Sequence, residues 1–425
     1  MRYALLGAAL LVACATTRSA RAADQAAPGA ANADAVRVAE SSPLVRASLE
    51  YLAKQARAIR YRPLRDATID AMENPRTCVR HRASRSAPDK KAILGRLLAE
   101  GLYAPADAAA FPGGVAAGVF PPLLEDGSAC PKLPQRFGSA PGSASGGHHS
   151  FPGGLAVHES FNERSIVSLA ENYARNYRAP GSRGGGEGGA RGWTGLDEDV
   201  LRAAPIWHDW AKTMVLQWNA DGTEFKEFTF GGNGATDAFG GAGDSRTGGH
   251  HVLGVAEAMA RGFAPDVVIA QACAHSAPMG RNEFKVVNWL RAAAILARVD
   301  PVAKGYLYVD GAGHLRLPQL RAVSELNPEA ATLAWTNFLP EYAMHNLSDA
   351  DFTFTGAAVT QAEALLRALA ARYGYDPADV ARYNWAYRNT AFAHLSAERI
   401  AFLYQRGGLG AVRKELDHLR ARRVL

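Results

Sequence analysis

Seven of the chain's 12 histidines fall between His148 and His275: His148, His149, His158, His208, His250, His251 and His275. Neutral imidazole is the commonest protein ligand for transition metals. These histidines are scattered over separate helical segments and share no single motif. They can act together only if those helices pack around one point, as metal sites in helical bundles do. The four cysteines do not have zinc-finger spacing. Cys78 and Cys130 flank a loop-rich segment and are candidates for a disulfide in an oxidising compartment, whereas Cys273 lies in an apolar run and reads as a buried thiol.

Apolar periodicity predicts helices over residues 48–59, 90–102, 159–176, 201–215, 250–261, 264–274, 283–299, 361–373 and 397–405. Within 283–299, Val286, Leu290, Ala293 and Ala297 mark one apolar face. Two hairpins are expected, one over 216–230 turning at Ala220-Asp221-Gly222 and one over 306–317 turning at Asp310-Gly311. Residues 23–34 read as a linker from their Ala, Gly and Asp content, and 111–146 as loop from Gly, Pro and Ser. The Gly-rich stretches 181–192 and 231–249 read as surface insertions. The expected fold class is all-α with small β-hairpin insertions. The expected division is a leader at 1–22, a loop-rich helical region at 23–145, a metal-binding catalytic domain at 146–316 and a C-terminal helical region at 317–425.

The first residues resemble an export signal, with Arg2 followed by an apolar run over 4–13 that is too short to span a bilayer. Two endings compete. Leu11-Val12-Ala13-Cys14 fits a lipobox, which would attach the protein to a membrane through a lipid on Cys14, and Ala20-Arg21-Ala22 fits a cleaved signal peptide. Either ending predicts an exported protein, periplasmic or a membrane-anchored lipoprotein. The net charge of +6 is diffuse, and no basic stripe is interleaved with aromatics, so nucleic acid is not expected as a partner.

The sharpest local feature is Trp207-His208-Asp209-Trp210-Ala211-Lys212. Adjacent His and Asp on a helix differ by about 100° in direction, so both reach one ion only from their shared edge. A carboxylate can bridge two ions, and Lys212, three residues beyond Asp209, shares its face and can hold an anionic group.

These residues resemble the HD superfamily of metal-dependent phosphohydrolases, an all-helical fold. His148-His149-Ser150-Phe151-Pro152-Gly153-Gly154-Leu155-Ala156-Val157-His158 resembles the HH-x-x-x-GGL-x-x-H opening of one branch. His208 to Lys212 resembles the HD-x-x-K signature, with Ala211 where the family usually has Gly. Leu296-Ala297-Arg298-Val299-Asp300 resembles the closing segment, and Gly249-His250-His251-Val252-Leu253-Gly254 the GH-x-x-x-G helix start of binuclear members. The match covers about residues 146–305. It implies that His158, His208, Asp209 and Asp300 hold one metal. His250 and His275 would complete a second, with Asp209 bridging; His251 is the alternative to His250. His148 and His149 either shape the loop or take a supporting role. His81, His314, His345, His394 and His418 are expected to be structural or solvated.

The resemblance implies hydrolysis of a small-molecule phosphomono- or phosphodiester by a metal-bound hydroxide, with Asp209 and Lys212 as the catalytic groups. His and carboxylate ligands without cysteine suit one or two divalent ions of Fe, Mn, Co, Ni or Zn. Two other readings stand beside it: a di-iron oxygenase built on the same ligand order, and a non-catalytic binding module.

Overall fold

The computed structural model describes residues 28–177, 196–232, 244–279, 282–320 and 339–425. The stretch 1–22 expected to be a leader, with Cys14, and most of both Gly-rich stretches lie outside them. The chain is mostly helical, with two very small sheets.

Helices α1 (Asn32–Ser41), α2 (Pro43–Ala58) and α3 (Arg62–Glu73) open the fold. Ser42 starts α2 by accepting the Val45 N–H at 3.1 Å, with Pro43 at the first helical position. Val45, Ser48, Leu52 and Ala56, spaced three and four apart, form its buried face. The composition of 23–34 suggested a linker, but a helix begins at Asn32. Ala31 and Ala35 pack on Trp218, and Asn32 bonds both Pro134 O and Trp218 N. Composition could not show those long-range contacts. α4 (Ala87–Ala99) starts with a reciprocal Ser86–Asp89 capping box. Short helices α5 (Pro105–Ala110) and α6 (Gly114–Val119) follow, and the stretch 111–146 is otherwise mainly irregular, as its composition predicts. Cys78 and Cys130 are bridged. Beside them, buried Glu257 accepts the Arg80 and His81 N–H groups and His81 Nδ1.

The centre is built from α7 (Gly154–Tyr177), α8 (Glu198–His208), α9 (Lys212–Val215), α10 (Gly249–Ala260), α11 (Pro265–Ala272) and α12 (Glu283–Ala297). α10 is buried from Gly249 to Met259, which fits a sequence apolar on nearly all sides. It packs along α12 and touches α8 and α11. At Gly254 a Cβ would stand 3.3 Å from the carbonyl oxygens of Trp207 and His208, so the missing side chain lets α10 cross the end of α8 closely. The single helix expected over 201–215 is divided: α8 ends at His208 and α9 begins at Lys212.

β1 (Thr229–Phe230) pairs antiparallel with β2 (Thr247–Gly248), and β3 (Tyr308–Val309) with β4 (Leu315–Arg316). The second pair is the hairpin expected over 306–317. Of the first expected hairpin only the part nearest the turn forms, with Asn219 N bonded to Thr223 O at 2.7 Å, Phe225 N to Gln217 O at 2.8 Å and an antiparallel bridge between Trp218 and Glu224, while Phe230 pairs with Thr247 instead.

In the C-terminal region α13 (Pro340–Ser348) packs on α7, α8 and α11. α14 (Phe352–Leu369), α15 (Val380–Tyr383), α16 (Asn389–Leu395) and α17 (Ala397–Ala421) enclose a second apolar core, which Phe151 joins. Arg388 fastens that core to the loop before α7, donating to Ser150 O at 2.7 Å and to Glu363 Oε1 at 2.6 Å. Among the described residues no helix is long and apolar enough to cross a membrane.

The bridge between Cys78 and Cys130 spans 52 residues. Loop-closure entropy assigns it about 4 kcal/mol of stability. A Cys78→Ser, Cys130→Ser double variant is expected to unfold at lower urea, and reductant is expected to shift the wild type towards it and leave the variant unchanged.

Candidate metal centre

α8 stops at His208, and the chain then turns through bonds three residues apart: Lys212 N to Asp209 O at 2.8 Å, Thr213 N to Trp210 O at 3.1 Å and Met214 N to Ala211 O at 2.8 Å. Such a tightened turn eclipses side chains at i and i+3. It therefore sets the Lys212 ammonium directly on Asp209 Oδ2, and the same ammonium donates to Gly142 O. Trp207 and Trp210 are core residues whose indole N–H groups donate to Thr68 Oγ1 at 2.9 Å and Ala71 O at 3.0 Å on α3. They fix the turn from behind.

Asp209 lies between two sets of imidazoles. His158, from α7, places Nε2 3.1 Å from Asp209 Oδ2. His208 Nε2 is 3.5 Å from Oδ1, and His250 Nε2, from the start of α10, is 3.1 Å from the same oxygen. His275, just after α11, brings Nε2 within 3.4 Å of His250 Nε2. A second carboxylate, Asp349, closes the cluster. Its Oδ1 is 3.1 Å from His158 Nε2 and 3.2 Å from His208 Nε2, and its Oδ2 is 3.9 Å from His275 Nε2. Four ring nitrogens and two carboxylates thus converge.

The far nitrogens of those rings are also committed. His158 Nδ1 faces Asp351 at 3.1 Å, His208 Nδ1 donates to Pro205 O at 2.7 Å, His250 Nδ1 meets Glu227 Oε2 at 2.5 Å and His275 Nδ1 meets Thr247 Oγ1 at 2.8 Å. Each ring is thereby oriented with Nε2 inward. Glu159 Oε2 lies 3.6 Å from His208 Nδ1, and Glu159, His158, His208 and Asp209 each offer a ligand atom within 4.8 Å of the others.

Of the residues the sequence singled out, His158, His208, Asp209, Lys212, His250 and His275 come together. Asp300 does not. α12 ends at Arg298 in the left-handed conformation, and Asp300 is exposed, capping the next turn through Val302 N at 2.9 Å and Ala303 N at 3.0 Å. The position expected of it is taken by Asp349, which follows the last residue of α13, a helix that returns to the cluster after a long excursion. Nothing local in Ser348-Asp349-Ala350-Asp351 signals this role. His251 points away: its Nε2 bonds Ala272 O at 3.1 Å and its ring stacks on His275 with centroids 4.1 Å apart. His149 Nε2 holds Asp351 at 2.8 Å, and His148 lies at the edge, 3.8 Å from Asp351. His345, expected to be structural, is buried against His208 and bonds Ala270 O at 2.6 Å.

The site is electrostatically lopsided. Asp209, Asp349, Asp351 and Glu227 gather around it, and Lys212 is the one fixed cation in contact with them among the described residues. Burial works against charge on every group, and at His158, His208 and His250 the carboxylates overcome it. His208 is pushed up to about 10 by Asp209, Glu159 and Asp349, and His250 to about 9 by Glu227 and Asp209. Asp351 with the Asp209 and Asp349 bonds holds His158 well above its ordinary value. Asp209 and Asp349 are held well below the carboxylate range despite burial, with His208 the largest opposing influence. Burial, reinforced by His250, takes His275 down to about 4. This cluster attracts positive charge and offers nitrogen and oxygen donors, which fits divalent metal ions. Asp209 Oδ1 is buried, with His250 Nε2 at 3.1 Å and His208 Nε2 at 3.5 Å, and Asp209 groups with His250 and His275 as possible metal ligands.

Behind it, Glu163 is fully buried with neither oxygen hydrogen-bonded, and burial pushes its carboxyl well above the usual range.

No family model matches the chain, and neither the curated proteins nor the solved structures contain a match to it.

Two measurements follow. Asp349→Ala is expected to weaken metal retention more than about tenfold, about 1.4 kcal/mol, and Asp300→Ala to leave it unchanged, as read by metal analysis after dialysis. For Glu163 the proton is held more tightly in the folded chain than in the unfolded one, where glutamate titrates near ~4.3. The stability tied to that proton is present below about pH 4 and is lost as pH rises towards the folded value. Glu163→Gln in chelator is therefore expected to match the wild type in melting temperature near pH 4 and to exceed it increasingly towards pH 8.

Proposed function

We propose that this protein is a metal-dependent phosphohydrolase acting on small phosphoesters. The observation that carries the reading is the placement of Asp209 and Asp349 between the His158/His208 pair and the His250/His275 pair, with Lys212 alongside. The donors suit divalent Fe, Mn, Co, Ni or Zn. Bound ions would supply Lewis acidity and a water of lowered pKa. His158, His208, Asp209 and Asp349 would hold one, and Asp209, His250, His275 and Asp349 the other. This ligand order, with Asp349 in place of Asp300, supports a member of the HD superfamily.

The chain's own groups divide the remaining work. Lys212, buried at 5% exposure, sets a fixed positive charge at the edge of the centre, where it can neutralise a phosphoryl oxygen. The side chains of His148, 20% exposed, and His275, 25% exposed, are the histidines of the cluster that a substrate can reach from solvent. His148 is depressed by burial to about 3, so at neutral pH it presents a neutral ring that can hydrogen-bond the substrate. Export of the protein is part of the same reading, and the Cys78–Cys130 bridge supports it.

The test is metal analysis of purified protein with a parallel assay on bis(p-nitrophenyl) phosphate. About two ions per chain and hydrolysis supported by Mn or Co are expected. Loading must expel protons from His158, His208 and His250, so affinity should rise with pH between 6 and 9 and calorimetry should detect proton release. Iron with oxygen consumption and no hydrolysis would replace the hydrolase by the oxygenase, and loss of all metal would leave a binding module.

A further inference from the structure

We infer that Asp351 and Glu227 are the positioning carboxylates of the two metal positions, Asp351 acting through His158 and Glu227 acting through His250. The inference rests on the metal-dependent reading above and concerns what sets the affinity of each position separately.

A histidine that ligates through Nε2 carries its proton on Nδ1, and a buried N–H requires an acceptor. All four rings of the centre have one, but the acceptors differ in kind. His208 and His275 turn to neutral oxygens, Pro205 O and Thr247 Oγ1. His158 and His250 turn to carboxylates. A carboxylate acceptor makes the opposite nitrogen a stronger donor and fixes the ring more firmly than a neutral oxygen does. Glu159 Oε2 also stands 3.6 Å from His208 Nδ1, beyond hydrogen-bond length, so each pair has one ring whose Nδ1 hydrogen-bonds a carboxylate.

The geometry on both sides is specific. Asp351 is 2% exposed and straddles His158 Nδ1, with Oδ1 at 3.1 Å and Oδ2 at 3.2 Å. His149 Nε2 holds Oδ2 at 2.8 Å from the other side, and His148 Nε2 stands 3.8 Å from Oδ1, so the carboxylate cannot swing away from His158. Glu227 Oε2 accepts two bonds from one residue, the ring at 2.5 Å and the His250 backbone N–H at 3.0 Å. It fixes both the rotamer of His250 and the first turn of α10. Gly248 leaves the space: a Cβ there would lie 2.7 Å from Glu227 Oε1 and from His250 Cε1. Both carboxylates come from outside the central bundle, Glu227 from the stretch before β1 and Asp351 from the junction of α13 and α14.

The test is a Co(II) titration of the metal-free full-length chain, followed by calorimetry and by the ligand-field absorption of cobalt. The wild type is expected to bind in two steps, assigned by His208→Ala and His275→Ala. Glu227→Gln should weaken the His250/His275 step by about 10–100-fold and shift its absorption, leaving the other step in place. Asp351→Asn should do the reverse. Melting of the metal-free variants separates loss of fold from loss of positioning. Equal weakening of both steps, or no weakening, overturns the inference while the metal reading survives. A third cobalt per chain that disappears in Asp351→Asn also overturns it, by making Asp351 a ligand. A wild type that binds no cobalt defeats the metal-dependent reading, and the inference falls with it.

Discussion

The structure is organised around the burial of Asp209. A carboxylate at 1% exposure is costly unless positive charge and hydrogen-bond donors surround it, and three histidines and Lys212 do so here. Those partners come from α7, the end of α8, the start of α9 and the start of α10. Each helix is held where it is partly because its charged or polar residue has nowhere else to go. The tightened turn at 209–214 is the local expression of this demand: it ends α8 at the point where Asp209 and Lys212 must face the same way.

Asp349 and Asp351 enlarge the problem by adding negative charge at the same place. Like charges in a low-dielectric interior are tolerated only where cations neutralise them. Protons on His158, His208 and His250 meet part of that need, and divalent ions would meet it more fully. The same field that raises those histidines would thus favour metal, and the two occupants compete for the same nitrogens.

The regions that flank the central bundle also take part in the site. The hairpin turn at 219–223 leads to Glu227 and the α13–α14 junction supplies two aspartates. Arg388 ties the second apolar core to the loop that precedes α7 through Ser150. The site is therefore assembled across most of the chain, and His158 is oriented by a residue 193 positions away.

The central helices were legible in sequence because each shows apolar spacing of three and four, and so was the hairpin at Asp310-Gly311. His158, His208, Asp209, Lys212, His250 and His275 were legible because residue type and order carry chemistry without reference to coordinates. The turn that breaks 201–215 was not, since helical propensity continues through it and only the ion pair beneath it prefers the tighter geometry. The choice between His250 and His251 was also closed to sequence, because neighbouring residues point about 100° apart and the packing of α10 decides which faces inward. The closing aspartate was misplaced for the same reason. Asp300 stands in a suitable local pattern, but the left-handed turn at Arg298 takes the chain away, and Asp349 and Asp351 reach the cluster only through the return of α13. Sequence by itself determined the helical class and named most of the side chains that converge. Tertiary packing alone decided which donors meet, because convergence in space depends on how helices cross and not on how their residues are spaced.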